Sequence, residues 1–305
     1  MQAVSVSHIT KKYDEFKAVD DISFAISEGR LFGLLGPNGA GKTTTMRMIM
    51  NIILPDEGKI EVLGKPFSEE SKNRIGYLPE ERGLYPKMKL LAHLQFLGEM
   101  KGLSASTAKK TAEKWLERFD LLRWANNKVQ DLSKGMQQKV QFIGTVMHSP
   151  DLIIVDEPFS GLDPINTKFL KDIILELKKQ GKTIILSTHL MDQAEKLCDD
   201  ICLINRGKVV LNGSLAEIKQ TYSHNSVLLE YHGDASFISR LPEVEKVDDY
   251  GNYMEIRLRD GASSENLFRE LAKSPLQVKK FEAAESSLND IFIEIVGEQS
   301  HEENN

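Results

Sequence analysis

Cysteine is scarce: Cys198 and Cys202 are the two in 305 residues. They cannot staple a chain of this size, so a reducing compartment is expected. Their Cys-x3-Cys spacing is half of a metal pattern, but no Cys or His cluster lies nearby to complete four ligands. They read as small core residues. Long hydrophobic runs are missing as well. No stretch reaches the ~18 apolar residues needed to cross a bilayer. The opening MQAVSVSHITKKYDEF has neither an apolar h-region nor a small-residue cleavage site. The chain reads as cytosolic, and any work at a membrane needs another chain to supply the membrane part. A basic excess is also lacking. Lys and Arg number 39 against 45 Asp and Glu, a net charge of −6, which argues against a nucleic-acid partner. There is no internal repeat and no low-complexity tract.

What is present is an ordinary globular composition, 41% hydrophobic and 28% charged. A chain of 305 residues implies about two domains. The charge is uneven. Residues 221–305 carry 8 basic and 17 acidic side chains, a net of −9, while the first 220 hold 31 against 28, a net of +3. Two modules with different tasks follow.

Short β-branched runs alternate with amphipathic stretches through residues 1–220. Leu31–Gly36, Ile60–Leu63, Leu152–Val155, Thr183–Ser187 and Ile201–Asn205 read as strands. Thr43–Asn51, Pro164–Gln180 and Leu190–Leu197 read as helices. This alternation predicts an α/β fold with a mostly parallel sheet. Residues 85–150 break the pattern with three helical stretches and no strand, as a helical insertion would. Residues 221–297 read as a small α+β domain: strands at Ser226–Tyr231, Val244–Asp249, Tyr253–Arg259 and Leu276–Phe281, and a helix at Ser263–Lys273. The turn Tyr250-Gly-Asn252 suits a hairpin. Ser287 and Asp290 form a capping box opening a last helix to Val296. The tail 298–305 is expected to be disordered.

The chemistry begins at Gly36-Pro37-Asn38-Gly39-Ala40-Gly41-Lys42-Thr43-Thr44. Two glycines with four residues between them, then Lys and Thr, follow a strand and open a helix. That context makes the run a phosphate-binding loop. Its glycines let backbone N–H groups converge on a phosphate, aided by the helix N-terminus. Lys42 then reaches the β and γ phosphates of a nucleoside triphosphate, and Thr43 ligates Mg²⁺. A second site follows a four-residue apolar strand, Leu152–Val155. Asp156 emerges where a Mg²⁺-side carboxylate belongs, and Glu157 is placed to polarise a water.

Further motifs narrow the class. Leu132-Ser133-Lys134-Gly135-Met136 resembles the signature of ABC-type ATPases, usually LSGGQ. Ser160-Gly-Leu-Asp163 resembles their D-loop and Ser187-Thr-His189 their switch histidine. Tyr13 matches the aromatic that stacks on adenine. Tyr77–Pro86, together with this signature, is similar to the NatA-like group of bacterial ABC exporter ATPases. The closing Ser287–Gly297 resembles that group's last helix. The resemblance implies a P-loop NTPase, with a RecA-like core, an ABC helical subdomain at about 85–150 and the appended domain. It implies ATP and Mg²⁺ as cofactors and Glu157 as the base. His189 would contact the γ phosphate. It also implies head-to-tail pairing with an identical or similar cassette. Ser133, Lys134, Gly135 and Met136 would then complete the other protomer's ATP site, and Asp163 would couple the two. The partner implied is an integral-membrane permease docking near Glu80–Met88, where Leu84, Tyr85 and Met88 are apolar. The place implied is the cytoplasmic face of the membrane, and the work is export. Alternatives are a soluble ABC ATPase, disfavoured by the single cassette and acidic tail, and an importer ATPase.

Two departures stand out. Lys134 and Met136 replace the first Gly and the Gln of the usual signature, and Lys134 preserves positive potential. Glu80 stands where the family normally has a Gln near Mg²⁺. It keeps the length and an acceptor but adds a charge, so it is expected to ligate Mg²⁺ more tightly.

Overall fold

The computed structural model describes residues 1–81, 83–222, 226–259, 261–284 and 287–302. The chain divides into two compact units, Met1–Ser214 and Leu215–Asn305. The division falls earlier than the charge boundary at about 220.

In the first unit, β1 (Gln2–Tyr13) and β2 (Phe16–Ser27) form a long hairpin. β3 (Leu31–Leu35) leads into α1 (Lys42–Ile49). Next come β4 (Glu57–Val62), β5 (Lys65–Pro66), α2 (Glu69–Lys72) and β6 (Ile75–Leu78). The helices α3 (Leu90–Met100), α4 (Ala105–Arg118) and α5 (Lys134–Val146) follow without an intervening strand. The unit closes with β7 (Leu152–Asp156), α6 (Pro164–Lys179), β8 (Thr183–Thr188), α7 (Met191–Leu197), β9 (Asp200–Asn205) and β10 (Lys208–Ser214).

The six-stranded sheet has the order β10-β9-β3-β8-β7-β6. Its inner pairs are all parallel, and β10 is antiparallel on the edge. Every residue of β3, β7 and β8 is buried, which explains their unbroken apolar runs. The parallel order brings the C-terminal ends of β3, β6, β7 and β8 to one edge of the sheet, where open α/β sheets place ligands. A second, antiparallel sheet has the order β2-β1-β4-β5. Its Val4, Val6, Ile22 and Phe24 join Phe32, Ile154 and Ile185 of the parallel sheet, and Met46 and Ile49 of α1, in one core. Phe24 stacks on Phe32 with ring centroids 5.3 Å apart.

The hairpin β1–β2 is not among the strands read from the sequence. Its register shifts between Val6 and Ile9, and again on either side of Lys11. His8 and Asp21 take left-handed φ of 51° and 54°. Such bulges displace the buried face and break the two-residue alternation along β1, although Ile22–Ser27 of β2 alternates buried and exposed without interruption. β6 was also hidden, by Gly76. A Cβ there would lie 2.3 Å from the Thr145 carbonyl of α5, so only glycine lets that helix cross so close.

The second unit comprises α8 (Leu215–Thr221), β11 (Ser226–His232), β12 (Val244–Asp249), β13 (Tyr253–Leu258), α9 (Ser264–Lys273), β14 (Gln277–Ala284) and α10 (Leu288–Glu302). Its antiparallel sheet has the order β12-β13-β11-β14. Val227, Leu229, Met254, Ile256 and Leu258 pack with Leu267 and Leu271 of α9. The Ser287–Asp290 box forms: the Ser287 N–H donates to Asp290 Oδ2 at 3.0 Å, and the Asp290 N–H donates to Ser287 Oγ at 3.2 Å. One expectation needs correction. The last helix does not stop at Val296: its backbone runs on to Glu302. Nothing breaks it: no Pro follows, and Gly297 alone costs a helix only about 1 kcal/mol. Residues 303–305 lie outside the described residues.

Candidate functional site: a nucleotide cleft at the ends of β3, β7 and β8

An open cleft of about 620 Å³ lies where these strands end. Its walls include Asn38 to Thr44, Glu80, Asp156, Glu157 and His189, with Tyr13 and Phe16 from the hairpin. Most of the residues read as cofactor, catalytic or metal groups thus meet in one place.

The loop 36–41 is held by its glycines. Gly36 takes φ 145° and Gly41 takes φ 108°. A Cβ on Gly36 would sit 2.0 Å from the Ile204 carbonyl oxygen, and one on Gly41 2.5 Å from that of Ala18. No side chain fits either position, so the loop can lie flat against β9 and β2. Lys42 is only 7% exposed. Its Nζ donates to the carbonyls of Gly36 at 2.7 Å and Pro37 at 3.0 Å. Burial pulls the Lys42 pKa down, while Glu157, Asp156 and Glu80 work in the opposite direction.

Asp156 is 1% exposed. Its Oδ2 accepts from Thr43 Oγ1 at 2.9 Å. Its Oδ1 is buried without a hydrogen-bond partner. The Ser187 hydroxyl is near enough to bias its titration but lies outside hydrogen-bonding geometry. Burial pushes the Asp156 pKa up. An orphaned carboxylate oxygen beside a threonine hydroxyl fits a hard divalent cation such as Mg²⁺, which completes its shell with phosphate oxygens and water. Among the described residues no group of three or more His, Cys, Asp or Glu gathers as a metal cage.

Glu157 adopts a left-handed φ of 46°, a strained conformation of the kind found at functional sites. Its carboxylate is fixed by the next strand end. The His189 N–H donates to Oε1 at 3.0 Å, His189 Nδ1 lies 2.8 Å from the same oxygen, and Thr188 Oγ1 donates to Oε2 at 3.3 Å. The sequence had sent His189 to a phosphate. In the structure its Nδ1 side belongs to Glu157, which leaves Nε2 for the ligand. Thr188 was missed as a positioning group, although it sits inside the Ser187-Thr-His189 motif.

Ser133, Lys134, Gly135 and Met136 do not line this cleft. Ser133 caps α5, accepting from the Met136 N–H at 3.3 Å, and Ser133 and Lys134 are exposed. Asp163 likewise lies outside it. It caps α6 by accepting from the N–H groups of Ile165 and Asn166 at 3.0 Å each. The Asn166 N–H bond leads in holding its carboxyl below the usual range. Glu80 lines the cleft and is exposed. The backbone beside it is tied to α5, because Gln141 Nε2 donates to the carbonyls of Pro79 at 3.1 Å and Glu81 at 3.0 Å. Arg82 falls outside the described residues.

Fold and site together define a P-loop nucleoside triphosphatase. The family model described as ABC transporter matches residues 19–160, and that described as the DrrA1-3-like ATP-binding protein C-terminal domain matches 213–296. The chain is 42% identical to the ABC transporter ATP-binding protein YhaQ of Bacillus subtilis strain 168, over 96% of this chain and 98% of that one. It is 32% identical to the Nod factor export ATP-binding protein I of Ralstonia nicotianae, over 97% and 94% of the two chains. A solved ATP-binding subunit of an ABC transporter superposes with a TM-score of 0.68 at 32% identity, over 72% of this chain and 93% of that one. The chain therefore belongs to the ABC transporter ATP-binding proteins, and it is an ATPase. No helix among the described residues is long and apolar enough to cross a membrane.

Proposed function

We propose that this chain powers export through a separate membrane permease, and that it works as a dimer of cassettes. The observation that carries the dimer is the incompleteness of the cleft. The phosphate loop, Asp156, Glu157 and His189 assemble within one chain, whereas the signature residues 133–136 lie outside the cleft, with Ser133 and Lys134 exposed. Ser133 and Gly135 at the N-terminus of α5 offer an anion site that serves only a second protomer's ATP. Lys134 adds charge of the right sign. Asp163 lies on the α6 cap and couples one site to the other.

Within each cleft Tyr13 takes the adenine. The loop N–H groups from Gly36 to Thr44 hold the phosphates, and Lys42 neutralises charge that develops on them. Thr43, Asp156 and Glu80 would hold Mg²⁺ directly or through water. The metal would supply positive charge against the charge of the phosphates. Glu157 accepts the proton of the attacking water. His189, with Nδ1 2.8 Å from Glu157 Oε1, orients base and phosphate together. The assignment of Glu80 has its own check. Glu80→Gln is expected to raise several-fold the Mg²⁺ concentration giving half-maximal ATPase activity, as a metal ligand loses its charge. An unaltered Mg²⁺ titration would remove Glu80 from the metal site.

Export rests on the exporter among the relatives, and the permease partner on an apolar groove. A depression of about 240 Å³ is lined by Tyr77, Pro79, Leu84, Leu97 and Met100, among others. Tyr85 lies edge-on to His93 at 5.7 Å and to Phe96 at 5.6 Å. Tyr85, Phe96 and Met100 are 49%, 39% and 63% exposed, an apolar patch with the look of a docking surface. Met100→Glu should abolish recovery of the chain with its permease from detergent-solubilised membranes while the basal ATPase of the isolated chain stays at its wild-type rate. Retained co-purification would move the docking site elsewhere.

A further inference from the structure

Phe16 is a large apolar side chain left 63% exposed, and it stands at the wall of the nucleotide cleft. It pairs directly with Tyr13 across the two-residue turn of the β1–β2 hairpin, where Asp14 takes φ 51°. Residues directly opposed in an antiparallel pair project from the same face, and both of these line the cleft. Tyr13 is 48% exposed and carries the Lys11 ammonium over its ring at 5.8 Å. Lys11 is itself anchored to Asp56 at 2.7 Å. A side chain as exposed as Phe16 adds little to the core beneath it, so packing does not account for a bulky ring here. Of the residues the hairpin gives to the cleft, Tyr13, Phe16 and Ala18, none carries an amide or carboxylate with which to read a base edge.

We infer that Phe16 is a second nucleobase-binding residue, forming with Tyr13 a two-ring platform that grips the base through its faces. The inference rests on the reading of the cleft as the ATP site. Base–aromatic stacking is worth a factor of about 5 to 150 in affinity. It acts on the base alone, so the triphosphate should not feel it.

The test uses the full chain with Mg²⁺. ATP binding is measured by calorimetry, ATPase activity gives KM and kcat, and inorganic tripolyphosphate serves as a competitive inhibitor without a base. Phe16→Ala is expected to raise the Kd and KM for ATP about 5- to 50-fold, to leave kcat at saturating ATP unchanged, and to leave the tripolyphosphate inhibition constant within about twofold of wild type. Phe16→Trp should restore ATP affinity. Wild-type ATP affinity in Phe16→Ala would overturn the inference. So would an equal loss for tripolyphosphate, which would mean that the hairpin had merely distorted the loop. A wild-type chain that bound neither ligand would instead sink the reading of the cleft itself.

Discussion

Glu157→Gln is expected to lower ATP turnover by about 10² to 10⁴, or roughly 3 to 5.5 kcal/mol of barrier, while ATP still binds. The amide keeps the size of the side chain and one acceptor oxygen for the His189 N–H, which now donates at 3.0 Å. It cannot accept a proton from water. Binding is expected to survive because the loop 36–41, Lys42 and Thr43 are untouched. The cycle should then stall with ATP between two protomers. Size-exclusion chromatography should show an ATP-dependent dimer that wild type does not accumulate. Phosphate release at the wild-type rate would remove Glu157 from the role of base. A monomer that holds ATP without turnover would remove the dimer.

Lys42→Ala should be severe for a different reason. Lys42 lies among three carboxylates, those of Glu157, Asp156 and Glu80, whose fields all act on it. Without it, a triphosphate meets those charges with less to balance them. Hydrogen bonds to charged groups contribute about 1.5–3 kcal/mol each, so ATP affinity should fall at least about tenfold to a hundredfold. Turnover should fall further, because Lys42 also stabilises charge that builds up on the phosphates. Calorimetry and phosphate release check the two effects. The fold should persist, since the Nζ bonds to Gly36 and Pro37 tie only the loop. An ATP Kd equal to wild type would contradict the placement of Lys42 at the phosphates.

The two variants differ in what they report. Glu157 is held by contacts from a neighbouring strand end, so its loss exposes chemistry. Lys42 sits within the loop itself, so its loss exposes binding. A chain that fails both ways with equal severity would indicate a damaged cleft and not two separate roles.

The sequence by itself determined the residues of the chemistry. Phosphate recognition needs glycines at fixed intervals, a lysine and a hydroxyl, all within one loop, and a local requirement of that kind is written locally. The same holds for Asp156 and Glu157 at the end of an apolar strand, and for Ser287 and Asp290, which cap a helix three residues apart. The structure decided what depends on residues far apart in the chain. Gly76 can be read as necessary only once the Thr145 carbonyl is seen beside it. The hairpin β1–β2 was hidden in β1, whose bulges move the buried face mid-strand, although Ile22–Ser27 of β2 alternates without interruption. With it went Phe16, whose place in the cleft exists only through pairing with Tyr13. His189 is the sharpest case. Its motif gives the strand end on which it sits, but only the parallel pairing of β7 with β8, Asp156 opposite Ser187, brings its ring onto Glu157. A strand's neighbours are chosen by the packing of the whole sheet, and no single stretch of sequence contains them.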